Sequence, residues 1–371
     1  MSRSRGGVGG YRGRRTITDI LRFIAIALAV VLVLVLAGLW FGQEYIVYTD
    51  DGLRLELPPF LQNMRQERPQ KEPGDVSYTD TEGPDGEDAS LKDPAQPAQP
   101  DPQPSEPQPP EPASAAAAYE LPVSAVTGGS ASGTLETLEG AQALILEMKG
   151  TDGRLAWNSQ HKIALRSEVS GPAAVNAALE QWNAGETHTV ARVCCFRDDA
   201  APYHNNALAL RRGQYNWRDE LGLRWLSPAS KDAQEYLAAL CGELAALGFD
   251  EIVLEHFTFP TQGNLEAIAR GDRYDPARFP QEVESFLTQV EQALAPYGTA
   301  LSLRLEGDSL SEHSGLTPQL VERFAGRVWT GDLSALEGAG LALDQERLVE
   351  IVPQLREASP AGLQAVLQTE N

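Results

Sequence analysis

The sequence predicts a (β/α)8 barrel, a closed parallel sheet covered by helices, in its C-terminal two thirds. Strand-like and helix-like patterns alternate from residue 119 to residue 371, and about 250 residues is a usual size for this barrel. The predicted strands are nearly continuous apolar runs, as expected of strands that are covered on both faces. A doubly wound open sheet is the alternative, but Gly128, Gly129 and Gly133 after the first strand lack the spacing of its phosphate-binding turn.

The predicted elements follow one another in the order that such a barrel requires. The predicted strands are 120–127, 143–150, 188–196, 248–260, 299–306, 327–330, 348–352 and 363–367. One helix is predicted over 172–182 and another over 229–247. In the second helix, apolar side chains recur on one helical face up to Leu240, Leu244 and Leu247.

The fourth predicted strand carries the most informative residue, Glu255. Its sequence, GFDEIVLEHFTFP, is an apolar run that Glu255 interrupts near its end. An unpaired carboxylate in a dry core costs several kcal/mol or acquires a raised pKa. We therefore expect Glu255 to lie at a polar mouth or beside a cation, and the active sites of such barrels lie at the C-terminal ends of the strands.

On four successive predicted strands, charged side chains occupy alternate positions. Alternate residues of a strand share a face, and the apolar face that ends in Leu303 and Leu305 belongs against the helices. The charged side chains expected inside the barrel are Glu147, Lys149, Arg192, Glu255, Arg304 and Glu306. They form either a functional site or an ion-pair network without chemistry. His256 has the opposite parity to Glu255, so we expect it to face the helix layer.

Several stretches in order along the chain resemble the putative glycosyl hydrolase domain family of bacterial envelope proteins. They are Leu146-Glu147-Met148-Lys149 with Asp152-Gly153-Arg154, Val190-Ala191-Arg192-Val193, Trp217-Arg218-Asp219, Gly222-Leu223-Arg224-Trp225, and Gly248-Phe249-Asp250-Glu251-Ile252 with Phe259-Pro260-Thr261. The resemblance implies a glycosidase-like barrel that acts on or binds a cell-envelope polysaccharide.

Glycosidases use two carboxylates about 5–5.5 Å apart for retention or roughly 6.5–9.5 Å apart for inversion. Glu255 with Glu306 is the catalytic pair that we predict, with Glu147 in reserve, and Lys149, Arg192 and Arg304 would bind substrate. The family usually has Asp where this chain has Glu147 and Glu255, Arg where it has Thr258, and a strand-five Asp where Arg304 stands. The alternative is therefore a non-catalytic carbohydrate-binding or scaffolding barrel with a degenerate site.

Three tryptophans are predicted to contribute to sugar binding at the rim of the mouth. Trp157, Trp217 and Trp225 fall in the loops after the second and third strands, where their rings could stack on sugars; packing within the loops is the alternative. The histidines lack metal-ligand spacing, and the three cysteines are expected to be small buried residues. We therefore predict neither a metal site nor a cofactor.

The N-terminal third predicts a membrane anchor and a spacer. Residues 23–41 carry no charge, which suits a helix that spans about 30 Å of hydrocarbon. Six arginines precede this segment, so residues 1–22 form a basic tail on the cytoplasmic side, and the barrel lies outside the membrane. A cleaved signal peptide is the alternative.

The segment between the anchor and the barrel has two parts. Residues 42–62 are a juxtamembrane segment in which alternating residues around Asp51-Gly52 indicate a β-hairpin, with a loosely ordered segment as the alternative. Residues 63–118 are rich in Pro, Gln and Glu and are predicted to be a disordered spacer before the barrel at 119–371. The net charge of −22 argues against nucleic acid as a partner.

Overall fold

The structure is a computed structural model that describes residues 46–49, 52–55, 116–127, 129–341 and 343–368. The predicted cytoplasmic tail, membrane span and nearly all of the predicted spacer lie outside these residues. No helix within the described ranges is long and apolar enough to cross a membrane.

Eight parallel strands close into a barrel, which confirms the predicted fold class and excludes the open sheet. The barrel strands are β3 (Ala117–Leu121), β4 (Ala141–Lys149), β5 (His188–Cys194), β8 (Glu251–Glu255), β9 (Ala300–Arg304), β10 (Val328–Thr330), β11 (Leu348–Val352) and β12 (Leu363–Val366). They pair in chain order, and β12 pairs with β3 to complete the ring.

Among the described residues, two antiparallel hairpins lie outside the barrel. Strands β1 (Ile46–Thr49) and β2 (Gly52–Leu55) pair with Thr49 opposite Gly52, so the hairpin that the alternating residues indicated is present. Strands β6 (Arg211–Arg212) and β7 (Tyr215–Asn216) form the second hairpin, in the long connection between β5 and β8. This connection lies at the C-terminal end of the barrel, where loops can border a site.

Helices separate most of the barrel strands. They are α1 (Ala131–Leu135), α2 (Lys162–Arg166), α3 (Ala174–Asn183), α4 (Ala201–His204), α5 (Lys231–Ala246), α6 (Phe279–Leu294), α7 (Pro318–Phe324) and α8 (Leu333–Gly338). Helix α5 begins where the Ser230 side chain accepts a hydrogen bond from the Ala233 amide. Its buried face includes Tyr236, Leu240 and Leu244, at the spacing that predicted it.

The first barrel strand differs from its prediction. The predicted strand covers 120–127, whereas β3 ends at Leu121 and Val123–Thr127 form a 3₁₀ turn. Pro122 follows the strand directly, and proline has no amide to donate to a neighbouring strand. The shift places Glu120 next to the last residue of β3, at the same end of the barrel as Glu255.

Apolar side chains fill the lower part of the barrel and leave its top to charged groups. Ile145, Val190, Val253, Trp329 and Val349 belong to one buried cluster. The larger cluster lies between the strands and the helices and includes Leu303 and Leu305, as their parity predicted. Because Val253 lies inside the barrel, Glu255, two residues later on β8, reaches the interior above this core.

Candidate functional site

A cavity of about 400 Å³ opens at the C-terminal ends of the barrel strands. It is lined by the charged side chains of Glu147, Arg192, Arg197, Glu255, Arg304 and Glu306, and by His256. These residues come from β4, β5, β8 and β9 or lie within three residues after those strands. The structure therefore brings five of the six predicted charged side chains to one mouth; Lys149 is the exception.

Glu255 lies at the floor of this cavity and is bound by two arginines. Arg192 donates to both of its carboxylate oxygens, at 2.7 Å from Nε to Oε1 and 3.0 Å from Nη2 to Oε2. Arg304 Nη1 donates to Oε1 at 2.8 Å. Burial raises the pKa of Glu255, but the charges and hydrogen bonds of Arg192 and Arg304 outweigh it and lower the pKa to about 2. Glu255 is thus ionised and has three of its acceptor positions occupied.

Arg192 is the centre of the network and joins three carboxylates. Besides Glu255, it donates through Nη1 to Glu120, and its Nη2 lies 3.6 Å from Oε2 of Glu147. Its side chain is buried. Burial alone would lower the pKa of Arg192, but the surrounding carboxylates raise this pKa by more than burial lowers it. The guanidinium is therefore permanently charged.

Glu120 is the member of the network that sequence reasoning missed. Its Oε2 accepts a hydrogen bond from the Gln368 amide at 2.6 Å, so it links β3 to the segment after β12, where the barrel closes. Burial raises its pKa more than Arg192 lowers it. Glu120 could have been found in the sequence, because it is a single carboxylate in an apolar strand, the same pattern that identified Glu255.

Lys149 does not face the cavity, so its predicted place in the mouth is wrong. The pairing of β4 with β5 shifts between Glu147 and Lys149, which places Lys149 opposite Val193 rather than on the face of Glu147. Its ammonium is fully buried, 2.8 Å from Oδ2 of Asp198 and 2.8 Å from the Cys194 carbonyl oxygen. Lys149 thus supports the loop after β5 from behind the strand.

Two of the three tryptophans, Trp157 and Trp217, do not line the mouth, whereas Trp225 borders a smaller pocket beside it. Trp157 and Trp217 are buried in the core, and their indole N–H groups donate to Glu243 and to the Asn264 carbonyl oxygen, respectively. Trp225 is 6% exposed and donates to Asp219 at 3.0 Å. Loop packing is therefore the correct alternative for Trp157 and Trp217, because both rings are buried and their N–H groups are paired within the protein.

His256 lies in the cavity wall, which corrects the expectation that it would face the helices. Its φ of +46° is in the left-handed region, so the backbone turns directly after β8 and the alternation of side chains ends there. The imidazole ring lies edge-on to Trp225, with 5.8 Å between the ring centroids. Burial lowers its pKa more than Glu306 and Glu255 raise it.

A second ion-pair network closes the opposite end of the barrel. Glu251, fully buried at the start of β8, accepts hydrogen bonds from Trp329 Nε1 at 3.0 Å and Arg327 Nε at 3.2 Å. Its Oε2 lies 2.9 Å from His188 Nε2. Burial raises the pKa of Glu251, but His188 and Arg327 lower it to about 2. Groups at this N-terminal face of a barrel serve stability.

The described residues contain no cluster of three or more His, Cys, Asp or Glu side chains that could hold a metal ion. The three cysteines are buried thiols. Burial raises the pKa of Cys241 to about 12 and raises the pKa values of Cys194 and Cys195 as well. They are small core residues, and the chemistry of the mouth rests on carboxylates, guanidinium groups and one imidazole.

Several solved structures are similar to this chain. A hypothetical protein from Ruminiclostridium thermocellum is 23% identical, with 50% of this chain and 96% of that chain covered and a TM-score of 0.41. The glycoside hydrolase domain of PgaB from Bordetella bronchiseptica is 14% identical, covering 57% and 73%, with a TM-score of 0.39. The glycoside hydrolase domain of PelA from Pseudomonas aeruginosa is 14% identical, covering 64% and 83%, with a TM-score of 0.36.

The family assignment rests on a match to the sequence. No curated protein matches the chain, but the family model of the putative glycosyl hydrolase domain matches residues 134–328. This match covers more than half of the chain and includes β4, β5, β8 and β9, which supply the mouth. The chain therefore belongs to the putative glycosyl hydrolase domain family.

Proposed function

We propose that this barrel binds a cell-envelope polysaccharide in its mouth and does not hydrolyse it. The observation that carries the proposal is the state of Glu255, whose two oxygens accept three hydrogen bonds from Arg192 and Arg304. Those bonds stabilise its ionised form and leave little of its lone-pair capacity for a substrate.

Hydrolysis would require a different division of roles among the carboxylates. A glycosidase keeps one carboxyl group protonated as the general acid and one ionised. Glu255, with a pKa of about 2, is ionised at neutral pH. Glu120 has a raised pKa, but it is bonded to Arg192 and does not line the cavity. It is therefore out of reach of a glycosidic oxygen.

The same mouth suits the binding of a sugar. Glu147, with 41% of its side chain exposed, and Glu306, which is exposed, supply acceptors for hydroxyl groups. Arg304 is partly exposed and supplies donors. A cavity of about 400 Å³ is within the usual range for small-ligand sites, about 300–1,000 Å³. Charge-assisted hydrogen bonds would hold one or two sugar units there.

Hydrolysis remains the second candidate because Glu306 lines the same cavity as Glu255 in a chain of the glycosyl hydrolase family. In that case Glu255 would be the ionised carboxylate and Glu306 the acid. Binding without hydrolysis and hydrolysis are distinguished by whether the bound polysaccharide is cleaved.

The binding proposal predicts that the two exposed carboxylates share the contact with the glycan. The double variant Glu147→Gln/Glu306→Gln is expected to bind purified, insoluble cell-wall material about tenfold more weakly, because two charge-assisted hydrogen bonds become neutral ones. Co-sedimentation of the detergent-solubilised full-length chain measures this binding. Glu168→Gln changes an exposed carboxylate in the loop after α2 and is expected to bind like wild type. Equal binding by all three proteins would contradict the proposal.

We also propose that residues 23–41 anchor the chain in the cell membrane, with residues 1–22 inside and the barrel outside. The uncharged run and the arginines before it support this topology. Protease added to intact cells with a permeable outer layer is expected to cut within 63–118 and release the barrel, while a cytoplasmic control protein stays intact. Protection of the barrel in those cells would overturn the topology.

A further inference from the structure

His256 combines three features that point to a contact with a ligand. His256 is not a glycine, but its backbone is in the left-handed region. This conformation costs of the order of 1 kcal/mol for most residues. Its imidazole makes no hydrogen bond within the part of the chain that the structure describes. The ring nevertheless lines the cavity above Glu255. Strain of this kind persists where the surroundings hold it, and it concentrates at ligand sites.

The ring also borders a second, smaller lobe of the mouth. This lobe has a volume of about 30 Å³ and is lined by Trp225, His256, Thr258 and Ser309, among others. Glu255, His256, Arg304 and Glu306 line both lobes. Since a single water needs roughly 10–15 Å³, the small lobe accommodates one hydroxyl or hydroxymethyl group beside the imidazole.

We propose that His256 is a ligand-contacting residue that, as a neutral imidazole, accepts a hydrogen bond from a sugar hydroxyl seated in the small lobe. This inference rests on the proposed function, because it assigns the contact that the polysaccharide makes. The left-handed turn after β8 points the ring into the mouth. The same backbone conformation that is strained therefore places the imidazole where it can contact a ligand.

The charges around the imidazole determine how binding depends on pH. The charged groups around it are Glu255 on β8, Arg304 on β9, Glu306 in the loop after β9, and Arg197 in the loop after β5. The two carboxylates favour the protonated ring, whereas burial and the two arginines favour the neutral ring, and the net effect is a pKa below the usual value of about 6.5. The imidazole is therefore neutral at pH 7 and loses its acceptor as the pH falls through this lowered pKa.

Three variants test the assignment. His256→Gly removes the imidazole and the backbone strain together, and His256→Asn keeps a donor and an acceptor in a residue that tolerates the left-handed region but does not titrate. Glu168→Gly is the matched control, because Glu168 is also left-handed, with φ of +55°, but is exposed in the loop after α2. Each is made in the full-length chain.

We expect His256→Gly to bind purified wall material about tenfold more weakly at pH 7.5. Its thermal midpoint is expected to stay near that of wild type, because relief of strain opposes the added freedom of glycine in the unfolded chain. Glu168→Gly is expected to bind like wild type. Wild-type binding should weaken as the pH falls below 6.5 and through the lowered pKa of His256, whereas the weaker binding of His256→Asn should not show this loss.

Each outcome has a defined meaning. If wild type binds and His256→Gly binds equally well, or if His256→Asn follows the wild-type pH profile, the assignment of His256 is wrong and the proposed function stands. If wild type does not bind the wall material at any pH tested, the proposed function fails and the assignment fails with it. A His256 that served only to pack against Trp225 would change the thermal midpoint and leave the pH profile of binding unaltered.

Discussion

Replacing Glu255 by Gln is expected to lower the free energy of unfolding by about 3–5 kcal/mol, because it leaves two guanidinium groups facing a neutral side chain. Arg192 would lose a bidentate carboxylate at 2.7 and 3.0 Å, and Arg304 would lose its contact at 2.8 Å. The amide of Gln would also present N–H groups to N–H groups. Urea-induced unfolding followed by tryptophan fluorescence measures the loss.

Glu147→Gln is the matched control for this change. It is the same substitution on the same mouth, but Glu147 is partly exposed and lies 3.6 Å from Arg192. A solvent-screened pair is worth less than about 1 kcal/mol. A loss at Glu255 no larger than the loss at Glu147 would contradict a structural role for Glu255.

The dependence of stability on pH gives a second readout of the same substitution. The pKa of Glu255 is lowered to about 2 in the folded chain, against roughly 4.3 for an unperturbed Glu. Its contribution to stability is therefore complete above the unfolded value and is lost as the pH falls toward 2. Glu255→Gln should flatten the acid limb of the stability profile, and an unchanged acid limb would show that Glu255 is not held in its ionised form.

Lys149→Met is expected to destabilise the chain by about 3–5 kcal/mol, since it leaves Asp198 as a buried carboxylate without its cation. Lys149 and Asp198 are both fully buried and 2.8 Å apart. Asp198 Oδ1 still accepts from the Ala200 and Ala201 amides, but Oδ2 has no other hydrogen-bond partner among the described residues. Urea unfolding also measures this loss.

The nearby exposed pair of Arg154 and Asp152 supplies the control for Lys149. These side chains are 3.5 Å apart and mostly in solvent, so Arg154→Met should cost less than about 1 kcal/mol. In addition, Lys149→Met/Asp198→Asn should recover part of the loss, because the buried charge is removed while the Oδ1 acceptor remains. No recovery in the double variant would show that the lysine acts through packing rather than through its charge.

The barrel and most of its mouth were predictable because both depend on simple periodicities. The alternation of apolar runs with helices fixed the strand order, and the period of two along β5, β8 and β9 placed Arg192, Glu255 and Arg304 on one interior face. This reasoning holds as long as each strand is regular up to its end.

The prediction failed where the backbone departs from that regularity. A shift in the pairing of β4 with β5 turns Lys149 outward, and the left-handed φ of His256 turns its ring inward. The turn at His256 has no glycine to mark it in the sequence, and Gly150 after Lys149 is equally compatible with a strand that simply ends there. The buried tryptophans depend on how the long β5–β8 connection packs, which local sequence patterns do not determine.

Co-sedimentation with purified wall material tests the central claim, binding without hydrolysis, most directly when the release of reducing sugar ends is measured in the same tubes. We expect wild type to bind the material and to release no more reducing ends over time than a protein-free blank. Release that increases with time and with wild-type concentration, and that is abolished by Glu306→Gln in a variant that still binds, would contradict the claim and assign the mouth as a hydrolytic centre.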